Sequence, residues 1–386
     1  MTRVLFYVQH LMGVGHVFRA MRIVKALTAA GIAVDMAYGG EPIPNFAANG
    51  ARVHFLPPVR AVGEAFNKLE DASGNPLSDD YKDRRRDMLL GILEATRPDI
   101  VVTEAFPFGR RQMRFELLPL LAAARQMDPR PIVLSSVRDI LQETGRIDKD
   151  RETIGYLQSL FDHVLVHGDP GLVRLERTFP LAHDIGDKVL YTGMVVPDEP
   201  RGGAQDETYD VVVSVGGGAL GRKLVMAAAA AKRHSVLRDA RWCIVTGLRF
   251  SEEDRADLQA HLSGDVILRR FLPDLPSVLA RARLSISRAG YNTVADICAA
   301  GCRAVVVPLS DGIETEQIRR AEILAEKGLA VTVSHERETP EHLAAAIGSA
   351  MDAPPPDRSR INLDGARNTA RILADLTAGR SVERYR

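Results

Sequence analysis

Short unbroken apolar runs alternate along the chain with longer stretches in which apolar residues return every three or four positions. The first forty residues show the unit most clearly. RVLFYV (3–8) is apolar throughout, as a strand buried on both faces of a parallel sheet must be. A glycine-bearing loop, QHLMGVGH, follows. VFRAMRIVKALTAAG then sets Val17, Met21, Val24 and Leu27 at helical spacing and stops at Gly31. IAVDMAY (32–38) is the next strand. Strand, loop, helix and strand in this order predict the βαβ unit of a doubly wound sheet.

The unit recurs. Strands are predicted at 99–105, 131–137, 163–168 and 188–193, with helices near 80–96 and over 115–127. Residues 197–208 are rich in Pro, Gly and acidic side chains and read as an exposed linker. The pattern then restarts. YDVVVSV (209–215) leads into a second glycine loop, GGGALG (216–221), and a helix from Arg222. Further strands are predicted at 241–247, 265–271, 283–287, 303–309 and 329–334. A Pro-rich break at 352–357 precedes a last helix near 362–378. The predicted fold is α/β, with two Rossmann-like doubly wound domains facing a central cleft. The first spans 1–196 and the second 209–360, with a C-terminal helix in 361–386 packing back on the first.

The length of 386 residues fits two domains of roughly 100–200 residues each. Fifty basic side chains balance fifty acidic ones, which gives no electrostatic basis for a nucleic-acid partner. Cys243, Cys298 and Cys302 form neither a disulfide framework nor a zinc site, and they suit a reducing compartment. No stretch approaches the roughly 18 apolar residues of a membrane span. The expected location is the cytoplasm. A helix over 84–96, opening RRRDMLLGILEA, also suits peripheral contact with anionic lipid at the inner membrane face.

Candidate chemistry gathers at three turns. Gly13, Gly15 and His16 lie between a strand end and a helix start, where the helix dipole favours a neutral imidazole. A dinucleotide fingerprint fails there, because Phe18 occupies the place of the third glycine, although Asp35 lies where an acidic ribose ligand would. Gly217 and Gly218 in the second loop allow close approach of a phosphate or sugar, and Arg222 adds charge. The third turn is SRAGYNTVADICAAGC. Gly290 turns the chain, Asn292 and Thr293 open a helix suited to an anion, and Asp296 lies one turn in, suited to sugar hydroxyls. Glu316 and Gln317 follow the next strand and suit a second set of hydroxyls.

These segments resemble the GT-B glycosyltransferases, and most of all the MurG type with a family 28 C-terminal domain. Gly13, Gly15 and His16 are similar to that type's N-terminal loop, and Thr192–Gly193 to the end of its first domain. Gly216 to Arg222 is similar to its second glycine loop. Ser287 to Gly290, Thr293, Val294 and Asp296 are similar to its donor signature, and Glu316–Gln317 to its paired glutamines. The resemblance is nearest to uncharacterised predicted glycosyltransferases. It implies an inverting, metal-independent transferase that takes a UDP-sugar as donor, with UDP-GlcNAc the first candidate, and no separate cofactor. His16 would be the general base. Phe271 and Leu272 would meet the nucleobase, Asn292 and Thr293 the diphosphate, Asp296 the ribose, and Glu316 and Gln317 the sugar. The acceptor, a molecule bearing a hydroxyl, would meet Gly13, Gly15 and the strand-end residues Glu104, Ser135, Ser136, Arg138 and Asp139.

Three departures bear on this. Asp296 replaces a Glu, and Met194 to Pro197 hold no phosphate-gripping Arg. Ala219 and Leu220 replace a polar residue and a glycine. The same fold also accommodates UDP-sugar epimerases or hydrolases, and a non-catalytic nucleotide-sugar-binding partner is the reading from another class.

Overall fold

A computed structural model describes the chain apart from residues 12–14, 42, 44–45, 63–67, 144, 198–206, 216–220, 248–249, 263, 273 and 311–313. Gly13, Gly217 and Gly218, candidate ligand-binding glycines in the sequence, therefore lie outside the described residues. The chain divides into two compact units, Met1–Val195 with Asp364–Arg386, and Val196–Leu363.

The first unit runs β1 (Arg3–Val8), α1 (Gly15–Ala29), β2 (Ala33–Tyr38), β3 (Arg52–Phe55), β4 (Arg60–Val62), β5 (Lys68–Glu70), α2 (Asp79–Thr96) and β6 (Ile100–Glu104). It continues with α3 (Arg114–Gln126), β7 (Ile132–Arg138), α4 (Ile147–Leu160), β8 (His163–His167) and β9 (Val189–Tyr191). Seven strands form one sheet in the order β3-β2-β1-β6-β7-β8-β9, all parallel. β4 and β5 form a separate antiparallel pair. The strand order reverses between β1 and β6, and in open sheets of this kind ligands bind beyond the strand ends at that reversal.

Alternation along β1 explains its unbroken apolar run. Leu5 and Tyr7 join Leu89, Leu93, Leu117 and Leu121 on one face of the sheet. Val4, Phe6 and Val8 join Val17, Val24 and Leu27 of α1 on the other. Each such aliphatic side chain contributes about 1.5–3 kcal/mol on full burial.

The second unit repeats the design. It runs β10 (Val211–Ser214), α5 (Arg222–Ala231), β11 (Trp242–Val245), α6 (Glu252–Ala260), β12 (Val266–Arg269) and α7 (Leu275–Leu279). Then follow β13 (Leu284–Ser287), α8 (Tyr291–Ala300), β14 (Arg303–Val306), α9 (Glu316–Glu326), β15 (Val331–Thr332) and α10 (Pro340–Asp352). The six strands are parallel in the order β12-β11-β10-β13-β14-β15, with the reversal between β10 and β13. Val211, Val213, Ile244, Ile286 and Val305 form its core with Leu224, Val225, Leu343 and Ile347.

The last helix, α11 (Gly365–Thr377), belongs to the first unit. Ile372 and Leu373 pack into the same apolar cluster as α1 and the near face of β1. Gly365 N–H donates to Met194 O (3.0 Å), and a Cβ on Gly365 would lie 2.4 Å from Gly193 O, so only glycine allows this approach.

The periodicity missed β3, the β4–β5 pair and α4. β3 is a short edge strand whose Phe55 is 60% exposed, and α4 buries only Thr153, Ile154 and Leu157 among charged neighbours.

One polar cluster is built wholly inside the first unit. Arg85 of α2 donates to both carboxylate oxygens of Glu116 on α3, at 2.8 and 2.7 Å, and to Gln9 Oε1 at 2.8 Å. Tyr7 donates to Glu116 at 2.5 Å. Arg85 and Glu116 are both fully buried. Removing one partner of such a pair strands the other. Arg85→Met is expected to cost about 3–5 kcal/mol in urea unfolding. A loss below about 1 kcal/mol would show that Glu116 finds another partner or water.

Candidate active site

The strand-order reversal of the first unit brings His16 and Glu104 together, although 88 positions separate them. His16 stands in the first turn of α1, just after the loop that leaves β1. Glu104 ends β6, the strand beside β1. His16 Nδ1 lies 2.9 Å from Glu104 Oε1. Arg19, one turn along α1, donates to the same oxygen. Ser136 Oγ, at the end of β7, donates to Oε2 at 3.0 Å. Glu104 is fully buried.

The protonation states follow from these contacts. Burial alone would raise the Glu104 pKa. The Arg19 charge and the His16 hydrogen bond outweigh it and hold the group at about 2. An ionised carboxylate only accepts. His16 must therefore donate through Nδ1–H, which leaves Nε2 with its lone pair. Burial and the nearby Arg110 charge lower His16 to about 3 against the pull of Glu104. Ser136 spends its one proton on Glu104, so His167 Nε2–H must donate to Ser136 Oγ across their 2.9 Å contact. His167 Nδ1 lies 2.9 Å from Thr192 Oγ1, which also donates to Gly193 O at 2.9 Å. Burial lowers His167 to about 3, with Arg19 adding to the effect. Hydrogen bonds thus connect Thr192 through His167, Ser136 and Glu104 to His16.

The other acceptor-side residues divide. Ser135 donates to Phe106 O (2.8 Å) and so holds the loop after β6. Arg138 ends β7 and lowers His16 through its charge. Asp139 is buried and accepts from Ile140 N at 2.8 Å, which shapes its own turn. Asp35, flagged as an acidic ribose ligand, accepts from His54 Nε2 at 2.7 Å instead. Arg19, Arg110 and His167 are site residues that sequence reasoning passed over. Arg19 lies three positions after His16 on a helix read for its apolar stripe, and that spacing was the available signal.

In the second unit, Gly290 is the N-cap of α8, with φ −70° and ψ 148°, and a Cβ there would meet nothing within 4 Å. Asn292 and Thr293 occupy the first turn of that helix, and Asp296 is buried one turn further on. Glu316 is buried and paired with Arg320 at 2.8 Å. Arg320 donates to Ala289 O at 3.0 Å, so this pair braces the turn before α8. Gln317 Oε1 accepts from Leu309 N at 3.2 Å. Arg288 meets Glu338 at 2.9 Å. Arg222 is paired with Asp254 and Asp257 of α6. Phe271 is 49% exposed and Leu272 is buried.

The basic run on α2 is less basic outwardly than its sequence. Arg85 points inward to Glu116, and Arg86 pairs with Asp83 and Asp87. Among the described residues no helix is long and apolar enough to cross a membrane, and no group of His, Cys, Asp and Glu is arranged to hold a metal ion.

Residues 211–368 match the glycosyltransferase family 28 C-terminal domain. A UDP-N-acetylglucosamine--N-acetylmuramyl-(pentapeptide) pyrophosphoryl-undecaprenol N-acetylglucosamine transferase of Methylorubrum extorquens is 34% identical over 110 residues, 28% of this chain and 29% of that one. The enzyme of the same name from a Bradyrhizobium strain is 33% identical over 151 residues, 37% of this chain and 41% of that one. The matches thus span less than half the length of these curated relatives. Over the whole chain the likeness is one of fold. Acinetobacter baumannii MurG superposes with a TM-score of 0.60 at 20% identity, covering 98% of this chain and 100% of that one. The calicheamicin glycosyltransferase CalG4 gives 0.62 at 18% identity, covering 98% of each. The chain has the GT-B glycosyltransferase fold. The match to the family 28 C-terminal domain falls mostly in its second unit.

Because the native state holds His16 and His167 neutral, the unfolded chain takes up more protons below the ordinary value of 6.5. Stability should therefore fall as pH drops from 6.5 towards about 3. The fall in the urea midpoint is expected to be shallower in His167→Gln. Superimposable pH curves for the two proteins would contradict the assignment.

Proposed function

We propose that the protein is an inverting glycosyltransferase that moves a sugar from a UDP-sugar, UDP-GlcNAc being the first candidate, to an acceptor hydroxyl. The observation that carries this is the pairing of His16 Nδ1 with the buried Glu104. It fixes the imidazole's orientation and leaves Nε2 as base, at the strand-order reversal of the first unit. Support for the donor comes from the family 28 character of residues 211–368 and from the names of the relatives.

In this reading His16 Nε2 takes the acceptor hydroxyl's proton as the oxygen attacks the anomeric carbon. The bond from that carbon to the donor's diphosphate oxygen breaks, and UDP leaves with the electron pair. Attack opposite the leaving group inverts the anomeric centre. Glu104 stabilises the imidazolium that forms, and Arg19 and Ser136 keep Glu104 in place. The leaving diphosphate is assigned to the N-terminus of α8 at Asn292 and Thr293, where the helix dipole favours negative charge, with no metal required. Asp296 is assigned to the ribose. Glu316 is assigned to bracing that turn through Arg320, and Gln317 to holding the end of β14. The work is assigned to the cytoplasm, in keeping with Cys243, Cys298 and Cys302, which are all free and buried.

The test is UDP release from UDP-GlcNAc, UDP-Glc, UDP-Gal and UDP-GlcA in EDTA, with analysis of the sugar product. Release from one donor is expected, reduced by about 10²–10⁴-fold in His16→Ala. Full activity in His16→Ala would remove the base assignment. Absence of both turnover and calorimetric UDP binding would remove the donor assignment.

A further inference from the structure

Arg110 stands at the end of the loop that begins at Glu104. Its backbone is left-handed, with φ 59°, and Ala105 at the other end of the loop has φ 66°. Non-glycine residues rarely adopt this conformation, and holding two of them in one short loop costs free energy that the surroundings must supply. The Arg110 side chain is half-buried and donates from Nε to Gln9 O at 2.9 Å, where the chain leaves β1. Its two terminal nitrogens carry no hydrogen bond or ion pair among the described residues. Arg138 also acts on His16 through its charge. Arg19 is on Glu104 and Arg85 is on Glu116.

A half-buried guanidinium with a free fork, aimed by a strained loop, suits bidentate recognition of an oxyanion. Arg110 is anchored at the end of β1, on the loop that starts at the His16 partner Glu104, and its charge reaches His16, so an oxyanion on it lies near the hydroxyl to be activated. Resting on the transferase reading above, we propose that the acceptor carries a carboxylate or phosphate near its reacting hydroxyl and that Arg110 is the residue that recognises it.

The electrostatics of the site agree with this. Burial depresses the basicity of His16 most, Arg110, Arg138 and Arg19 add to it through their charges, and Glu104 opposes them. Without substrate His16 is a weak base, far from the optimum near neutral pH. An anion on Arg110 cancels the strongest of the three charges acting on it. Correct acceptor binding thereby strengthens the base, while a neutral alcohol leaves it weak. Recognition and activation then share one contact.

The test reads His16 directly. Protein labelled with ¹³C at histidine Cε1 is titrated with glycerol 3-phosphate, glycerate and uncharged glycerol, and the His16 line is identified by its loss in His16→Gln. One or both anions are expected to move that line, and glycerol is not. Arg110→Gln should weaken the anion's affinity about tenfold or more, and Arg110→Lys should restore part of it. Thermal melts confirm that each variant folds. No shift with either anion, or a shift unchanged in Arg110→Gln, would overturn the proposal. A parallel titration with UDP separates the two sources of negative charge. An Arg110-dependent shift with UDP alone would assign the guanidinium to the donor's diphosphate and overturn the acceptor reading. Failure of UDP turnover would instead strike the transferase reading, since this titration reads the anion site without turnover.

Discussion

A carboxylate removed from water must be matched by charge and hydrogen bonds or it will not stay ionised. Glu104 meets that condition on both oxygens, through Arg19, His16 and Ser136. The placement of each partner is a demand on the fold. β1 and β6 must be adjacent, α1 must begin just beyond β1, and β7 must pair with β6 in the register that sets Ser136 opposite Glu104. The parallel sheet satisfies all three, because neighbouring strands in it end at the same edge.

The two units carry the same topology to different ends. In the first, the strand-order reversal is furnished with titratable side chains, and the chemistry resides in how they share protons. In the second, the corresponding turn is furnished with backbone. Gly290 leaves space above α8, while charged residues such as Glu316, Arg320, Arg288 and Glu338 turn to one another and stiffen the turn. A rigid turn with an open mouth suits a ligand held by its backbone charge. In that arrangement Glu316, which reads from sequence as a sugar ligand, is paired with Arg320.

The sheet strands buried on both faces were legible because burial leaves no polar positions in them. Strands and helices at the margins were not. β3 and the β4–β5 pair are short and wet, and α4 shows too few apolar positions to display a period. His16 stood out in the sequence as a histidine at a strand–loop–helix junction, a place that a capping or packing histidine also takes. Glu104 was visible as a polar strand end, but its role was not. Local periodicity contains nothing that couples positions 16 and 104, and only the order of strands in the sheet does so. Arg110 left no local signal, because a guanidinium in a loop reads as solvated until the packing around it is known.

The position of α11 has a consequence for the order in which the molecule is made. The chain enters the second unit after Val195 and returns at Asp364, so the helix that packs on α1 and part of the first sheet leaves the ribosome only after the whole of the second unit. Until then α1 covers that face of the sheet without Ile372 and Leu373. The first unit is therefore completed only after the inserted one has had time to fold as a body of its own. A fragment cut at the first crossing would have every strand of its sheet and still lack part of its core.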